Sequence, residues 1–216
     1  MSAESGIATF RDKDGLWEGH NVMEVASPQG WRANPSLVLN FYNQRRRQLL
    51  NVKPNAAHFA LAELEGKYKV SIITQNVDDL HERAGSSNII HLHGELLKSR
   101  SSKYENLVYI QIEDINLGDY CEKGYQLRPH IVWFDEMVPM LEIAANICAN
   151  ADIVIVIGSS MQVYPAAGLV GNVPKDIPIY YIDPNPTKNY EMNQLKNLTV
   201  IAKKATEGMK GLLEIL

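Results

Sequence analysis

The stretch ADIVIVIGSS, residues 151–160, decides the fold. At its centre, residues 153–157 are all β-branched and apolar, so both faces of an extended chain would be apolar. Such a run is typical of a central strand in a parallel sheet, where helices cover both faces. Gly158, Ser159 and Ser160 follow directly and place a glycine and two hydroxyl groups at the strand's carboxyl end. We therefore predict a central parallel strand that ends in a polar turn.

Shorter apolar runs recur along the chain and alternate with stretches of helical spacing. The further predicted strands are residues 70–74, 89–92, 130–134, 179–182 and 199–202. The predicted helices are residues 37–50, 55–67, 139–150, 187–195 and 205–216. This alternation predicts an α/β fold with a doubly wound parallel sheet. A turn-rich stretch at 20–31 and a polar stretch at 98–126 interrupt it, and predict a small inserted lobe.

Composition excludes several classes of protein. The chain has 216 residues, of which 45% are hydrophobic and 21% charged, as in a folded globular protein. Its net charge of −4 gives no support for a nucleic-acid partner. The longest apolar run is about five residues, against the roughly 20 that a membrane helix needs, so we expect no membrane partner. Two cysteines, Cys121 and Cys148, and the lack of a signal-peptide pattern predict a cytoplasmic protein.

Polar residues follow four of the predicted strands. Residues 75–78 (Gln-Asn-Val-Asp) come after the first, His93 after the second, residues 158–160 after the central strand and Asp183 after the next. Ligands of open parallel sheets bind beyond the carboxyl ends of strands. Together these residues predict a nucleotide-sized site that contains a histidine.

Each cluster taken alone has another explanation. Residues 158–160 could form a tight turn, and Asp183 could initiate one. Asn76 and Asp78 could cap a helix. His91 and His93 share a strand face and could bind a metal, but no third His or Cys lies nearby in sequence.

Four motifs resemble those of the sirtuins, which are NAD-dependent protein-lysine deacylases. The motifs are Ser5-Gly6-Ile7 with Thr9-Phe10-Arg11; Thr74-Gln75-Asn76-Val77-Asp78 with Leu80-His81; His91-Leu92-His93-Gly94-Glu95; and Gly158-Ser159-Ser160 with Val163-Tyr164-Pro165-Ala166-Ala167. They occur in the family's order and spacing and cover essentially the whole chain. The resemblance implies a Rossmann-like NAD-binding domain of residues 1–19, 53–97 and 129–216. The small lobe would comprise residues 20–52 and 98–128, with acylated lysine bound between the two parts.

The resemblance also implies a reaction and its residues. NAD loses nicotinamide, the acyl oxygen attacks C1′ of the ribose to give an alkylimidate, and His93 acts as general base on a ribose hydroxyl. A neutral imidazole suits this task, because its ordinary pKa lies near 6.5. The implied products are nicotinamide and O-acyl-ADP-ribose. The implied cofactor-binding residues are Ala3, Glu4, Ser5, Phe10, Arg11, Gln75, Asn76, Val77, Asp78, Gly158, Ser159, Ser160, Asp183 and Ala205.

Two further sets of residues match substrate-binding segments of the family. Val132, Trp133 and Phe134 match the strand segment that pairs with the substrate peptide backbone. Tyr42 and Arg45 lie three apart on a predicted helix and therefore share a face. In class III sirtuins a Tyr-x-x-Arg pair recognises succinyl and malonyl groups, and an Arg fork suits a carboxylate. A solvated basic face is the alternative, since Arg46 and Arg47 follow directly.

Two departures from the family bear on function. Sirtuins begin with an apolar strand and a Gly-Ala-Gly turn that cradles the NAD pyrophosphate, whereas Met1 stands just after that place. We expect either a start at an internal Met or a lost strand, in which case the cradle and a central strand are missing. Most sirtuins also carry four zinc-binding cysteines in the small lobe. Residues 98–128 hold Cys121 alone, so we predict no structural zinc.

The first hypothesis is therefore an NAD-dependent lysine deacylase that prefers acidic acyl groups and has some deacetylase activity. A catalytically silent relative that binds NAD, ADP-ribose or acylated peptide is the alternative. The missing strand and turn favour the alternative, and the presence of His93, Asn76 and Asp78 favours the enzyme.

Overall fold

The computed structural model describes residues 1–8, 16–17 and 19–216, with the backbone alone for 16 and 17. The strands are β1 Leu16–Trp17, β2 His20–Asn21, β3 Ile72–Thr74, β4 Ile89–His91, β5 Gly94–Ser101, β6 Val108–Ile110, β7 Leu127–Ile131, β8 Val154–Ile157, β9 Ile179–Ile182 and β10 Leu198–Ile201. The α-helices are α1 Val22–Val25, α2 Pro28–Ala33, α3 Pro35–Asn51, α4 Ala56–Leu64, α5 Leu80–Ala84, α6 Leu141–Ala149, α7 Tyr190–Asn193 and α8 Ala205–Leu213. Short 3₁₀ helices cover Ser2–Ser5 and Ala166–Asn172. Among the described helices, none combines the length and the apolar character of a membrane span.

Two parallel sheets form the larger part of the molecule. The first has the strand order β10-β9-β8, and the second pairs β3 with β4. Helices α4, α5, α6, α7 and α8 alternate with these strands along the chain. The parallel pairing and this alternation confirm the predicted α/β fold.

The position of β8 corrects the prediction of a central strand. Within the described residues β8 pairs only with β9, so it lies at the edge of its sheet, and all four of its residues are half-buried. Residues of β8 line a cleft that residues of β3, in the second sheet, also line. The apolar pattern of residues 153–157 correctly predicts a strand. The predicted central position is wrong, because among the described strands β8 has one neighbour, β9.

The strand predicted at residues 130–134 also differs. β7 ends at Ile131 and pairs antiparallel with β5, in a three-stranded sheet of order β6-β5-β7. Beyond it, the backbone N–H of Val132 donates to the His93 carbonyl at 2.9 Å and that of Phe134 to the Ala26 carbonyl at 3.0 Å. Because successive N–H groups bond to two separate segments, the chain stays extended without continuing the ladder.

The longest helix shows why the helical predictions were accurate. Asn34 caps α3 by accepting the N–H of Leu37 at 3.1 Å, and Pro35 occupies the first turn, where its missing N–H costs nothing. The buried side of α3 includes Val38, Phe41, Tyr42 and Leu49. These side chains pack with α1 and with residues of β5 and β7, and so attach the helical module to the antiparallel sheet.

Helices α4 and α8 connect the two parallel sheets. Their apolar faces pack together around Leu61, Met209 and Leu212, and Ile72 of β3 and Ile182 of β9 belong to the same cluster. In addition, Glu4 accepts hydrogen bonds from the backbone N–H of Thr206, at 3.1 Å, and from its hydroxyl, at 2.7 Å. The first turn of α8 is thereby tied to the 3₁₀ helix at Ser2–Ser5.

Candidate functional site

The carboxyl ends of β3, β4, β8 and β9 open onto one cleft of about 1650 Å³. Most of the residues predicted for the site line it. They are Ala3, Glu4, Tyr42, Arg45, Gln75, Asn76, Val77, Asp78, His93, Val132, Trp133, Phe134, Gly158, Ser159, Ser160, Asp183 and Ala205. Ser5 is not among the lining residues and accepts a hydrogen bond from Asn55 at 3.0 Å. Phe10 and Arg11 lie outside the described residues.

His93 follows β4 and is half-buried in this cleft. Its Nδ1 lies 3.2 Å from the carbonyl oxygen of Gln75. A carbonyl only accepts, so this bond places the hydrogen on Nδ1 and leaves a lone pair on Nε2. Burial lowers the pKa of His93, and the Gln75 carbonyl offsets that effect only in part. The imidazole is therefore neutral near pH 7 and able to accept a proton at Nε2.

Asn76 and Asp78 are joined through Ser2. The Asn76 amide donates to the Ser2 hydroxyl oxygen at 2.8 Å, and the Ser2 hydroxyl bonds to the Asp78 carboxylate. Asp78 is 5% exposed and also accepts the N–H of Leu80 at 3.2 Å, at the start of α5. Burial raises the pKa of Asp78, against the lowering effect of these two hydrogen bonds. The N-cap position of α5 is Asp79, so Asp78 supports the turn that leads into the helix and does not occupy the cap itself, and its side chain lies within the cleft beside Asn76.

The turn after β8 brings the start of the chain against a glycine. Gly158 has a φ of 59°, and a Cβ there would lie 2.4 Å from the backbone nitrogen of Met1. Only glycine fits this approach without displacing Met1. The Ser159 hydroxyl accepts the N–H of Met161 at 3.2 Å, and Asp183 accepts that of Asn185 at 2.8 Å. Both side chains stabilise their own turns while they line the cleft.

His91 does not share the environment of His93. Its Nδ1 lies 3.3 Å from the Asn76 carbonyl and its Nε2 lies 2.7 Å from the Glu82 carboxylate. Burial lowers the pKa of His91, but the bond to Glu82 more than offsets this, and the net pKa is raised. Glu82, His91 and Glu95 offer ligand atoms within 4.8 Å of one another. Glu95 is held by Lys98 at 2.7 Å, so each potential ligand already has a partner within the chain.

Tyr42 and Arg45 lie on one face of α3, at the same cleft. Tyr42 is fully buried, and its hydroxyl oxygen accepts the indole N–H of Trp133 at 3.1 Å. The Arg45 guanidinium stacks on the Phe41 ring, 3.4 Å from its centroid, and donates to the Phe41 carbonyl at 2.8 Å. A phenol and a guanidinium thus stand one turn apart at the wall of the cleft. Arg45 is half-buried and the next arginine, Arg46, is fully buried, which does not match the alternative of a solvated basic face.

Residues 98–128, where the family's zinc site was expected, do not fit a four-thiolate zinc site. Cys121 is their one cysteine, and the thiol lies 3.4 Å from the Ser101 hydroxyl oxygen. Ser101 also accepts the N–H groups of Lys103 and Tyr104, at 3.3 and 3.2 Å. Tetrahedral zinc sites of this type need four nitrogen or sulfur ligands. The hydroxyl and thiol here are linked by a hydrogen bond, and the absence of zinc stays a prediction.

Comparison with known proteins decides the family. A sequence model described as the Sir2 family matches residues 1–165 of the 216. The chain belongs to the Sir2 family. A Sir2-family relative from Helicobacter pylori, named NAD-dependent protein deacylase, is 60% identical over 213 residues, which cover 99% of this chain and 92% of the relative. A relative of the same name from Bacteroides thetaiotaomicron is 50% identical over 222 residues and covers 100% and 94%.

Solved Sir2 structures share the fold over nearly the whole chain. A Sir2 homologue solved as a complex with NAD has a TM-score of 0.87 and 41% identity, and covers 99% of this chain and 84% of its own. A mutant Sir2 homologue in complex with 2′-O-acetyl ADP-ribose has a TM-score of 0.86 and 39% identity, with coverage of 99% and 87%. The Sir2 fold of this chain is thereby shown.

Two residues of the site could not have been chosen from the sequence. Ser2 is 4% exposed and joins Asn76 to Asp78, but a serine beside an initial Met carries no pattern that signals such a role. Glu136 accepts the Trp133 N–H at 2.8 Å and lies between two arginines. The only sequence signal for Glu136 is its place two residues after the Trp-Phe segment, next to Asp135.

Proposed function

We propose that this Sir2-family chain is an NAD-dependent protein-lysine deacylase. The observation that carries the proposal is the hydrogen bond from His93 Nδ1 to the Gln75 carbonyl, which leaves Nε2 as a base in the cleft. The names of the relatives and the bound ligands of the solved homologues support it. NAD, when bound, supplies the ribose carbon that takes the acyl oxygen after nicotinamide leaves.

The other roles in the proposed reaction belong to residues of this chain. His93 Nε2 takes the proton of a ribose hydroxyl, so that this oxygen can attack the acyl carbon. Asn76 and Asp78, fixed by Ser2, present an amide and a carboxylate to the nicotinamide ribose and the nicotinamide amide. Gly158 lets a ligand approach the backbone, and Ser159, Ser160 and Asp183 offer groups to phosphate and ribose. The remaining residues proposed to bind NAD are Ala3, Glu4, Ser5, Phe10, Arg11, Gln75, Val77 and Ala205.

We further propose that the enzyme prefers succinyl and malonyl groups. The buried Tyr42 phenol and the Arg45 guanidinium lie one turn apart at the cleft, and a terminal carboxylate needs donors of this kind. Val132, Trp133 and Phe134 would bind the substrate backbone.

In the proposed domain organisation, the larger domain comprises residues 1–19, 53–97 and 129–216, and the small lobe comprises residues 20–52 and 98–128. The two free cysteines of the chain support a cytoplasmic location.

A catalytically silent relative is the second candidate. The observation that favours it is the open edge of β8, since no described strand supplies backbone amides along that side of the cleft. Incubation of a succinyl-lysine peptide with and without NAD separates the candidates. NAD-dependent release of nicotinamide together with deacylated peptide supports the enzyme. Binding of NAD by calorimetry without any release supports the silent relative and contradicts the enzyme.

A further inference from the structure

The buried indole of Trp133 is bonded to the phenol of Tyr42. Trp133 is 3% exposed and Tyr42 fully buried, and the indole N–H donates to the phenol oxygen at 3.1 Å. An indole nitrogen is a donor only. Tyr42 must therefore act as the acceptor in this bond, and its own hydrogen points away from the indole.

The direction of that hydrogen matters for a carboxylate ligand. A carboxylate accepts hydrogen bonds and does not donate them, so a phenol that turned its lone pairs toward it would repel it. Burial raises the pKa of Tyr42 far above its ordinary value, against the lowering effect of the bond from Trp133, so the phenol keeps its hydrogen. A donor at Trp133 thus favours the one orientation in which Tyr42 can donate elsewhere.

A buried ion-pair network fixes the indole. The Arg128 guanidinium lies over the Trp133 ring, 3.2 Å from its centroid. Glu136 accepts the Trp133 backbone N–H at 2.8 Å, and Arg128 and Arg100 at 2.7 and 3.2 Å. Both arginines are less than a tenth exposed. The network immobilises the ring and the backbone of Trp133 together.

We propose that Trp133 is a positioning residue for acyl selectivity, in that its indole N–H orients the Tyr42 hydroxyl to donate to an acidic acyl group. This inference rests on the proposed preference for succinyl and malonyl groups. Trp133 acts through Tyr42, and Arg128 and Glu136 hold Trp133 in place.

The test is a double-mutant cycle on the full chain, with kcat and KM measured for succinyl-lysine and acetyl-lysine forms of one peptide. Trp133→Phe removes the N–H, and Tyr42→Phe removes the hydroxyl. We expect each variant to lower the succinyl-to-acetyl ratio of kcat/KM about tenfold, mainly through a higher KM for the succinyl peptide. The double variant should match Tyr42→Phe alone, because Trp133 acts through the phenol.

Two controls keep the outcome decisive. Site-specific 3-benzothienylalanine at position 133 keeps the ring shape without the N–H, and should reproduce the Trp133→Phe ratio even where Phe impairs folding. Trp31→Phe, at a neighbouring ring 5.8 Å away, should leave the ratio unchanged. If Tyr42→Phe lowers the ratio and neither change at Trp133 does, the positioning role is wrong. If Tyr42→Phe itself leaves the ratio unchanged, the proposed acyl preference fails and the positioning role fails with it.

Discussion

The rings of His58, on α4, and His81, on α5, meet edge to face with 4.9 Å between their centroids. His58 is fully buried and His81 is 4% exposed. The His58 Nδ1 accepts the N–H of Asn55 at 3.2 Å, as part of the capping box of α4, so its hydrogen is on Nε2. Burial lowers the pKa of His58 to about 3 and that of His81 to about 4. Both rings are therefore neutral in the folded chain at pH 7.

This pair predicts a loss of stability in mild acid. Each folded-state pKa lies below the ordinary 6.5, so the unfolded chain binds more protons below that pH. The stability that the two neutral rings contribute is complete above pH 6.5. It falls as the pH drops toward 4, by roughly 1.4 kcal/mol of unfolding free energy per histidine and pH unit. His58→Gln keeps a capping acceptor without titrating. Between pH 7.5 and 5, the loss of unfolding free energy measured with urea should be smaller in this variant than in the parent by about 2 kcal/mol, the contribution of one histidine over this range. Equal losses would contradict the prediction.

His93→Asn tests the general base. An asparagine amide can still donate to the Gln75 carbonyl, but it offers no basic nitrogen at the position of Nε2. We expect kcat for deacylation to fall at least about 100-fold, within the usual range for loss of a general base. His130→Asn, at a half-buried histidine of β7 outside the cleft lining, serves as the matched control and should keep kcat. Unchanged turnover in His93→Asn would remove the basis of the proposed mechanism.

The pH profile tests the environment of His93. Because burial lowers its pKa, the unprotonated base persists below pH 6.5, and kcat/KM should fall only as the pH drops through that lowered pKa. An acetyl-lysine peptide is the right substrate, since its acyl group does not titrate. The acid limb measured from pH 5 to 8 should have its midpoint below 6.5. A midpoint above 6.5 would mean that His93 is not the base or is not desolvated.

Arg45→Met tests the acyl preference. The change removes the guanidinium from the cleft and keeps an apolar stem. We expect kcat/KM for desuccinylation to fall about tenfold or more, and that for deacetylation to change less than about threefold. Arg47→Met is the matched control, because Arg47 is exposed and paired with Asp114 at 2.7 Å. Equal losses on both substrates in Arg45→Met would contradict recognition of an acidic group.

The small lobe should not depend on zinc. Because residues 98–128 hold a single cysteine, whose thiol bonds to the Ser101 hydroxyl, we expect no zinc bond that a chelator could remove. Thermal unfolding with and without a chelator is expected to give the same Tm. Stoichiometric zinc that survives chelation, measured by elemental analysis, would show the prediction to be wrong.

The sequence predicted those features that arise locally. Residues 153–157 identify a strand because β-branched apolar residues suit an extended, covered backbone, and the helical spacing of residues 37–50 identifies α3. Features set by distant partners could not be predicted. The end of β7 at Ile131 depends on Ala26 and His93, and the edge position of β8 depends on which strands pair with it.

The same limit applies to the site. His93, Asn76 and Asp78 could be named because they follow strands and match a family motif. The tautomer of His93 depends on the Gln75 carbonyl, 18 positions away, and the orientation of the Tyr42 hydroxyl on an indole 91 positions away. Neither contact leaves a pattern in local spacing.

The cleft lined by β3 and β8 also bears on how the two parallel sheets, β3-β4 and β10-β9-β8, are held together. Within the described strands no ladder hydrogen bond crosses it, so the two parallel sheets are joined by side-chain packing. One cluster contains α4 and α8, and a second contains α6 and the 3₁₀ helix Ala166–Asn172. Side-chain packing of this kind deforms more readily than a continuous ladder of backbone hydrogen bonds. The packing that sets the width of the ligand cleft therefore reaches into the cleft itself, because Leu61, Glu4 and Ala205 belong to these contacts and also line it.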